Sequence, residues 1–228
     1  MINYLAALGW NDGTDKEIYS VHEIIEGFDV DRVNASPSMF DLQKLKWVNG
    51  QHIRALEPVY LEPMLKEVLE ESDLLGGPEL SQAFLSLAVA NTQEKMELLA
   101  EAVPIVETVL SFPFQETVDG DEAADIISDN FSEVTAAIVA SFDAGEMPIG
   151  EEDDFDALWK KWVKALGKNL DRKGKRLFMP VRLAVTGTIS GGDIGTQLRF
   201  VAESKNFIQA SKMVDLPKRI EILRSYNS

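Results

Sequence analysis

Apolar residues recur three and four positions apart along most of this chain, and that period constrains its fold more than any other feature. Val21, Ile24, Ile25 and Phe28 share one helical face, as do Leu61, Met64, Leu65, Val68 and Leu69, and again Trp159, Trp162, Val163 and Leu166. The pattern predicts short helices at Ile2 to Leu8, stopped by Gly9, and at Val21 to Phe28 behind a Ser20–Glu23 capping box. It predicts a further helix at Ser38 to Val48, ended by Asn49-Gly50. Helical segments follow at Tyr60 to Glu71, Leu80 to Ala90 and Met96 to Leu110, the last with a kink or restart at Pro104. Ala123 to Phe142 reads as one long amphipathic helix, and Phe155 to Leu170 as a basic one. Pro180 to Val185 fits a helix or a short strand, and helices at Gly195 to Ser204 and Pro217 to Tyr226 close the chain. Trp10 to Thr14 is a turn by composition, Asp29 to Val33 a loop, and Gly76-Gly77-Pro78 and Phe112-Pro113 are breaks. Gly145 to Asp154, with two glycines, a proline and an acidic run, is the best subdomain boundary. No repeat of 20–50 residues interrupts this order. The expected fold class is all-α, a helical bundle.

Several classes of chemistry find no support. The chain has no cysteine, so disulfides, thiolate nucleophiles and cysteine zinc sites are excluded. The two histidines, His22 and His52, stand apart in amphipathic stretches and read as surface or cap residues; no metal is expected. No apolar run reaches the roughly 18 residues of a membrane span, and no signal-like segment opens the chain, so no membrane partner is expected. A phosphate loop, a dinucleotide fingerprint, H-E-x-x-H and G-x-S-x-G are all missing. Acid pairs are plentiful among 38 carboxylates, but none is set apart as an acid and a base. No catalytic residue is visible.

Charge is more informative. The net charge is −16, which taken alone disfavours a polyanionic partner. Its distribution says otherwise. Residues 1–150 hold 7 basic and 28 acidic side chains, a net of −21, whereas residues 159–182 hold 9 basic ones and a single acid, Asp171, a net of +8. On a helix, Trp159, Trp162, Val163 and Leu166 would be buried while Lys160, Lys161, Lys164 and Lys168 form a ridge outside, followed by Arg172, Lys173, Lys175 and Arg176. Such a ridge suits phosphate and gives salt-sensitive affinity; it equally suits a solvated face balancing Glu151 to Asp154. The loop Thr186 to Asp193 is glycine-rich and could present amides to an anion, but it carries no lysine and reads as a capping turn.

Two ends of the chain carry ordered motifs. Asn3-Tyr4-Leu5-Ala6-Ala7-Leu8-Gly9-Trp10 resembles the N-Y-L-x-x-L-G-W segment of glutamyl-tRNA synthetases, the class I glutamate–tRNA ligases. Asp31-Arg32-Val33 and then Phe40 to Gly50 follow, the latter similar to that family's F-D-x-x-K-L-x-W-x-N signature. Trp159 to Lys168, Gly174 to Arg182 and Val185-Thr186-Gly187 resemble its W-x-x-x-V-K helix, K-G-K-x-L-F-M-P-x-R segment and L-T-G turn. The wording is nearest to the organellar and cyanobacterial-like branch. Residues 60–150 match in helical character and spacing, with few identities.

The resemblance implies a helical stem-contact region at 1–58 and an anticodon-binding bundle in two subdomains, 59–150 and 151–228. It implies the tRNA-binding part of an enzyme that joins glutamate to tRNA with ATP. The catalytic motifs H-I-G-H and K-[ML]-S-K-[SR] do not occur, so this chain alone is expected to be inactive and to hold no cofactor, ATP belonging to a catalytic domain that is not in it. A piece of a longer protein, a truncated reading frame and a free-standing interaction module all fit that absence, and the −21 balance of residues 1–150 motivates the module. Lys44 and Arg54 are the expected RNA contacts at the start, with Lys160, Lys164, Lys168, Lys173, Lys175 and Arg176 towards the end. The partner is tRNA(Glu). In some relatives an arginine in the first anticodon-binding subdomain rejects the glutamine anticodon; Leu65 to Leu75 contains no arginine, so tRNA(Gln) is a second expected partner. A chloroplast or mitochondrial location is implied by resemblance alone, with the cytoplasm otherwise.

Overall fold

A computed structural model describes residues 1–34 and 39–227, and the described residues form thirteen α-helices and no β-strand. The all-α expectation holds. The first helices are α1 (Ile2–Ala7), α2 (Val21–Gly27) and α3 (Leu42–Ala55). Between α1 and α2, Asn11 and Asp12 accept from the amides of Gly13 and Thr14, the predicted turn. The capping box is formed, Ser20 Oγ accepting from the Glu23 amide and the Glu23 carboxylate from the Ser20 amide. Trp10, Tyr19 and Ile24 make a small core, while Val21, Ile25 and Phe28 of the same predicted stripe remain exposed. The helical period was read correctly, but only one side chain of α2 has a core to enter.

Several predicted boundaries fail, and the helix expected from Met96 begins only at Ala102. The Ser38 end of the third predicted helix lies outside the described residues. Its predicted C-terminus, Val48, is seven residues too early, because α3 runs through Asn49-Gly50 to Ala55. Gly50 is not a stop signal here: a Cβ on it would lie 3.2 Å from Glu97 Cα, so glycine is selected for close approach of the next segment. Asn49 does not cap the helix but donates across to the Glu97 carbonyl at 2.6 Å. The predicted helix Ala123 to Phe142 is broken into α8 (Ala124–Ser128) and α9 (Phe131–Asp143), with Asn130 left-handed at φ 58° between them.

The first large core is built by α4 (Pro58–Glu70), α5 (Gln82–Thr92) and α6 (Ala102–Ser111). Leu61, Leu65, Leu69, Phe84 and Val106 are fully or almost fully buried in it. Phe200 and Phe207, from far along the chain, complete it by packing on Phe84 at 5.1 and 5.3 Å between ring centroids. The second core lies under α7 (Phe114–Asp119), α9, α10 (Phe155–Asn169), α11 (Lys175–Thr186) and α13 (Leu216–Tyr226), and it runs from Phe112 to Leu223. Helix α12 (Ile194–Ser204) enters both, through Phe200 and Val201 on one side and Ile194 and Leu198 on the other. Between Gly145 and Asp154 the backbone lies close to α12: a Cβ on Gly150, whose φ is +94°, would stand 2.8 Å from the Leu198 carbonyl oxygen.

Arg219 ties the cores together. It is fully buried and donates to the carbonyls of Val214 (2.8 Å), Val185 (2.9 Å) and Val109 (2.6 Å), with its guanidinium over the Phe112 ring at 4.8 Å. Val109 and Val185 lie near the C-terminal ends of α6 and α11, where orphan carbonyls favour a cation.

Candidate nucleic-acid interface

Helix α10 is anchored by its aromatic stripe. Phe155, Trp159 and Trp162 stack in series, with centroids 5.9 and 4.9 Å apart, and Trp162 Nε1 donates to Ser141 Oγ on α9 at 2.7 Å. Trp159, Trp162, Val163 and Leu166 are buried as expected, and Lys160, Lys161, Lys164 and Lys168 are exposed on the other side. At its C-terminal end, α10 lies close against α11. A Cβ on Gly167 would stand 2.5 Å from Leu177 Cδ2 and 2.9 Å from the Arg172 carbonyl oxygen, so no larger residue fits without movement.

The alternative left open for Pro180 to Val185 resolves as helix, with Pro180 inside α11. Proline supplies no amide to the carbonyl four residues back. That carbonyl, of Arg176, accepts instead from Arg172 Nη1 at 3.3 Å. The remaining donors of Arg172 are directed at the break between α8 and α9, reaching the Asp129 carboxylate at 3.1 Å, the Asp129 carbonyl and the Asn130 carbonyl at 3.4 Å. Arg176 grips the same carboxylate with two bonds of 2.9 and 2.8 Å. Arg176 first, and then the charge of Arg172, hold the Asp129 carboxyl below the usual carboxylate range.

This clamp divides the predicted cations. Arg176 is exposed but already paired, and Arg172 is buried structure. Among the described residues Lys160, Lys164, Lys168, Lys173 and Lys175 have no ion-pair partner. Lys160, Lys164, Lys168 and Lys173 line an open groove of about 1020 Å³ between α10, α11 and the start of α12. Its floor is apolar, made by Trp159, Val163 and Leu177, and Phe178 stands in its wall, 53% exposed. Lys175 and Arg176 lie outside its lining. Flat apolar surface between unpaired lysines is what unstacked bases and their phosphates require.

The N-terminal pair is placed differently. Lys44 lies in the first turn of α3 and pairs with Glu17 at 2.7 Å. Arg54 turns towards the main chain, 3.5 Å from the Glu94 carbonyl and 3.4 Å from that of Met96. Neither lines the groove.

Three groups escaped the sequence reading of the site. Phe178 is an exposed aromatic ring in the groove wall, and nothing in its spacing separates it from core residues. Arg182 is half-buried in the groove, and its Nη1 is buried without a hydrogen-bond partner. Lys95, on the short 3₁₀ turn Gln93–Lys95, does not line the groove, but its Nζ lies beside Gly191 near Arg182 Nη1. Burial foremost lowers the pKa of both, and the Arg182 charge lowers that of Lys95 further.

No family model matches the chain. A glutamate–tRNA ligase of Natranaerobius thermophilus is 34% identical over 199 residues, which is 85% of this chain and 39% of the relative. Crystal structures of a glutamate–tRNA ligase from Elizabethkingia meningosepticum, in complex with its amino acid, and of the enzyme from Elizabethkingia anophelis share the fold. Their TM-scores are 0.70 and 0.67, at 22% and 23% identity, over 97% and 96% of this chain and 40% of each of theirs. The chain thus spans about two fifths of the length of the proteins it matches.

Proposed function

We propose that this chain, homologous to part of a glutamate–tRNA ligase, is the tRNA-binding part of such an enzyme and grips the anticodon arm. The observation that carries the reading is the groove of α10 and α11. It combines four unpaired lysines with an apolar floor and an exposed phenylalanine, in a chain whose net charge is −16. In an acidic protein, a patch that leaves its cations unneutralised suits a polyanion. Residues 1–58 form the stem-contact region in this reading, and 59–150 and 151–228 bind the anticodon arm. Charging of tRNA with ATP requires a catalytic domain outside these residues, since neither synthetase signature occurs in them. Relaxed discrimination, with tRNA(Gln) accepted beside tRNA(Glu), rests on the absence of arginine from Leu65 to Leu75.

The second reading, a helical protein-interaction module that no longer binds RNA, is favoured by the −21 balance of residues 1–150. A gel shift separates the two. The chain should retard tRNA(Glu), and changing Lys164, Lys168, Lys173 and Lys175 to Glu should abolish the shift without unfolding the protein. No retardation by the unaltered chain would leave the interaction module as the better account.

A further inference from the structure

Helix α4 is apolar on two faces, and only one of them has a partner. Leu61, Leu65 and Leu69 enter the first core. Away from them, Val59 and Tyr60 are each 62% exposed and Met64 is 44% exposed, with Pro63 exposed beside them. Tyr60, Met64, Glu67 and Glu71 follow one another at steps of four, three and four residues. They therefore form one stripe along the helix, apolar in its first half and acidic in its second. The acidic half opposes the helix's own electrostatics. Glu67 and Glu71 stand at the C-terminal end of α4, where unpaired carbonyls disfavour carboxylates, and its last turn holds no basic residue. Lys66 is committed elsewhere, to Glu79 at 2.5 Å and Glu70 at 3.7 Å. Among the described residues Glu67 and Glu71 have no ion-pair partner. Two exposed carboxylates thus occupy the end of the helix that least favours them, in line with an aromatic ring and a thioether that face water. Side chains to be covered, followed by charges to be neutralised, make up one half of an amphipathic helix pairing.

We propose that this face of α4 docks a basic amphipathic helix of another protein. Apolar residues one turn apart on that helix cover Tyr60 and Met64, and its lysines or arginines stand against Glu67 and Glu71. Charge complementarity selects the occupant: carboxylates at this end repel phosphate and attract cations. An unbranched methionine adapts to the shape of what it meets, which suits a docking surface. None of these side chains lines the groove of α10 and α11, so the docking surface stands whether or not that groove takes RNA.

The probe is a synthetic helical peptide of about 18 residues made of Leu, Ala and Lys, with leucines one turn apart and lysines beyond them. Its counterpart carries Glu in place of every Lys. Each is titrated into the isotopically labelled 228-residue chain and followed by NMR. Saturable shifts confined to α4 and the segments packed on it are expected with the basic peptide, and none with the acidic one. Tyr60→Ser, and separately the double variant Glu67→Gln with Glu71→Gln, should each weaken binding roughly tenfold. A control that removes two other exposed carboxylates, Glu116→Gln with Glu122→Gln, should leave binding unchanged. The Glu67 and Glu71 double variant should keep or raise Tm, because it relieves the negative end of α4. A fall in Tm would show that these carboxylates serve the fold, and would overturn the proposal. Shifts spread over other acidic surfaces, or equal weakening by the control, would reduce the binding to attraction by a net charge of −16 and sink it as well. So would undiminished affinity in Tyr60→Ser, or no response to the basic peptide at all.

Discussion

At the scale of single residues, arginine does two different jobs in this protein. Arg219 is buried and spends its donors on main-chain carbonyls, buried Arg172 divides its own between carbonyls and the Asp129 carboxylate, and Arg182 keeps a buried N–H unspent. Burial lowers the pKa of Arg219 to about 9, yet three carbonyl acceptors and the Phe112 face keep it protonated at neutral pH. Replacing it leaves three carbonyls without their donor and a gap at the junction of the cores. Arg219→Ala should therefore lower stability by about 3–5 kcal/mol in urea denaturation, while Lys164→Ala on the exposed ridge should stay within about 0.5 kcal/mol. Arg219→Lys should recover only part of the loss, because an ammonium lacks the planar fork that reaches three acceptors. Among the expected RNA contacts, Arg54 and Arg176 resemble Arg172 more than Arg182, since both are already engaged.

At the scale of elements, α10 was legible from sequence and α3 and α9 were not. The stripe of α10 is set by local spacing, and its burial follows wherever the helix docks. The ends of α3 and α9 depend on what passes beside them. Gly50 and Asn49 look like a stop until the Glu97 backbone is seen against them, and Asn130 looks like mid-helix until Arg172 reaches the carbonyls beside the break. Gly167 belongs to the same class. Alanine is the better helix former, yet Gly167→Ala must displace Leu177 or the Arg172 carbonyl. We expect a loss of about 1–3 kcal/mol. Because the displacement separates α10 from α11, tRNA affinity should fall as well, measured by filter binding at a temperature where the variant is folded. A variant as stable as the parent would show that the close packing of α10 on α11 is dispensable.

At the scale of the whole molecule, cations outnumber acids in the groove, where six stand against Asp156, Asp171 and Asp193, while acids prevail over the rest of the chain. RNA bound at the groove must lie along the face of α10 and α11 and avoid the acidic remainder, which makes affinity depend steeply on ionic strength. If four lysines each neutralise one phosphate, raising salt from about 50 to about 200 mM should weaken binding roughly 50- to 150-fold. A flat salt response would mean that the ridge is a solvated face after all. By itself the sequence determined that this chain is helical, that one short segment carries its surplus of positive charge, and that its ordered motifs resemble those of a tRNA synthetase. These are properties of residues three, four or ten positions apart, and local spacing preserves them. Tertiary structure alone decided which of the nine cations between 159 and 182 are available, since one carboxylate, Asp129, occupies two of them. It alone brought Lys95 to Arg182 beside Gly191. Pairing and desolvation are settled by residues distant in the chain, and helical periodicity carries no information about them.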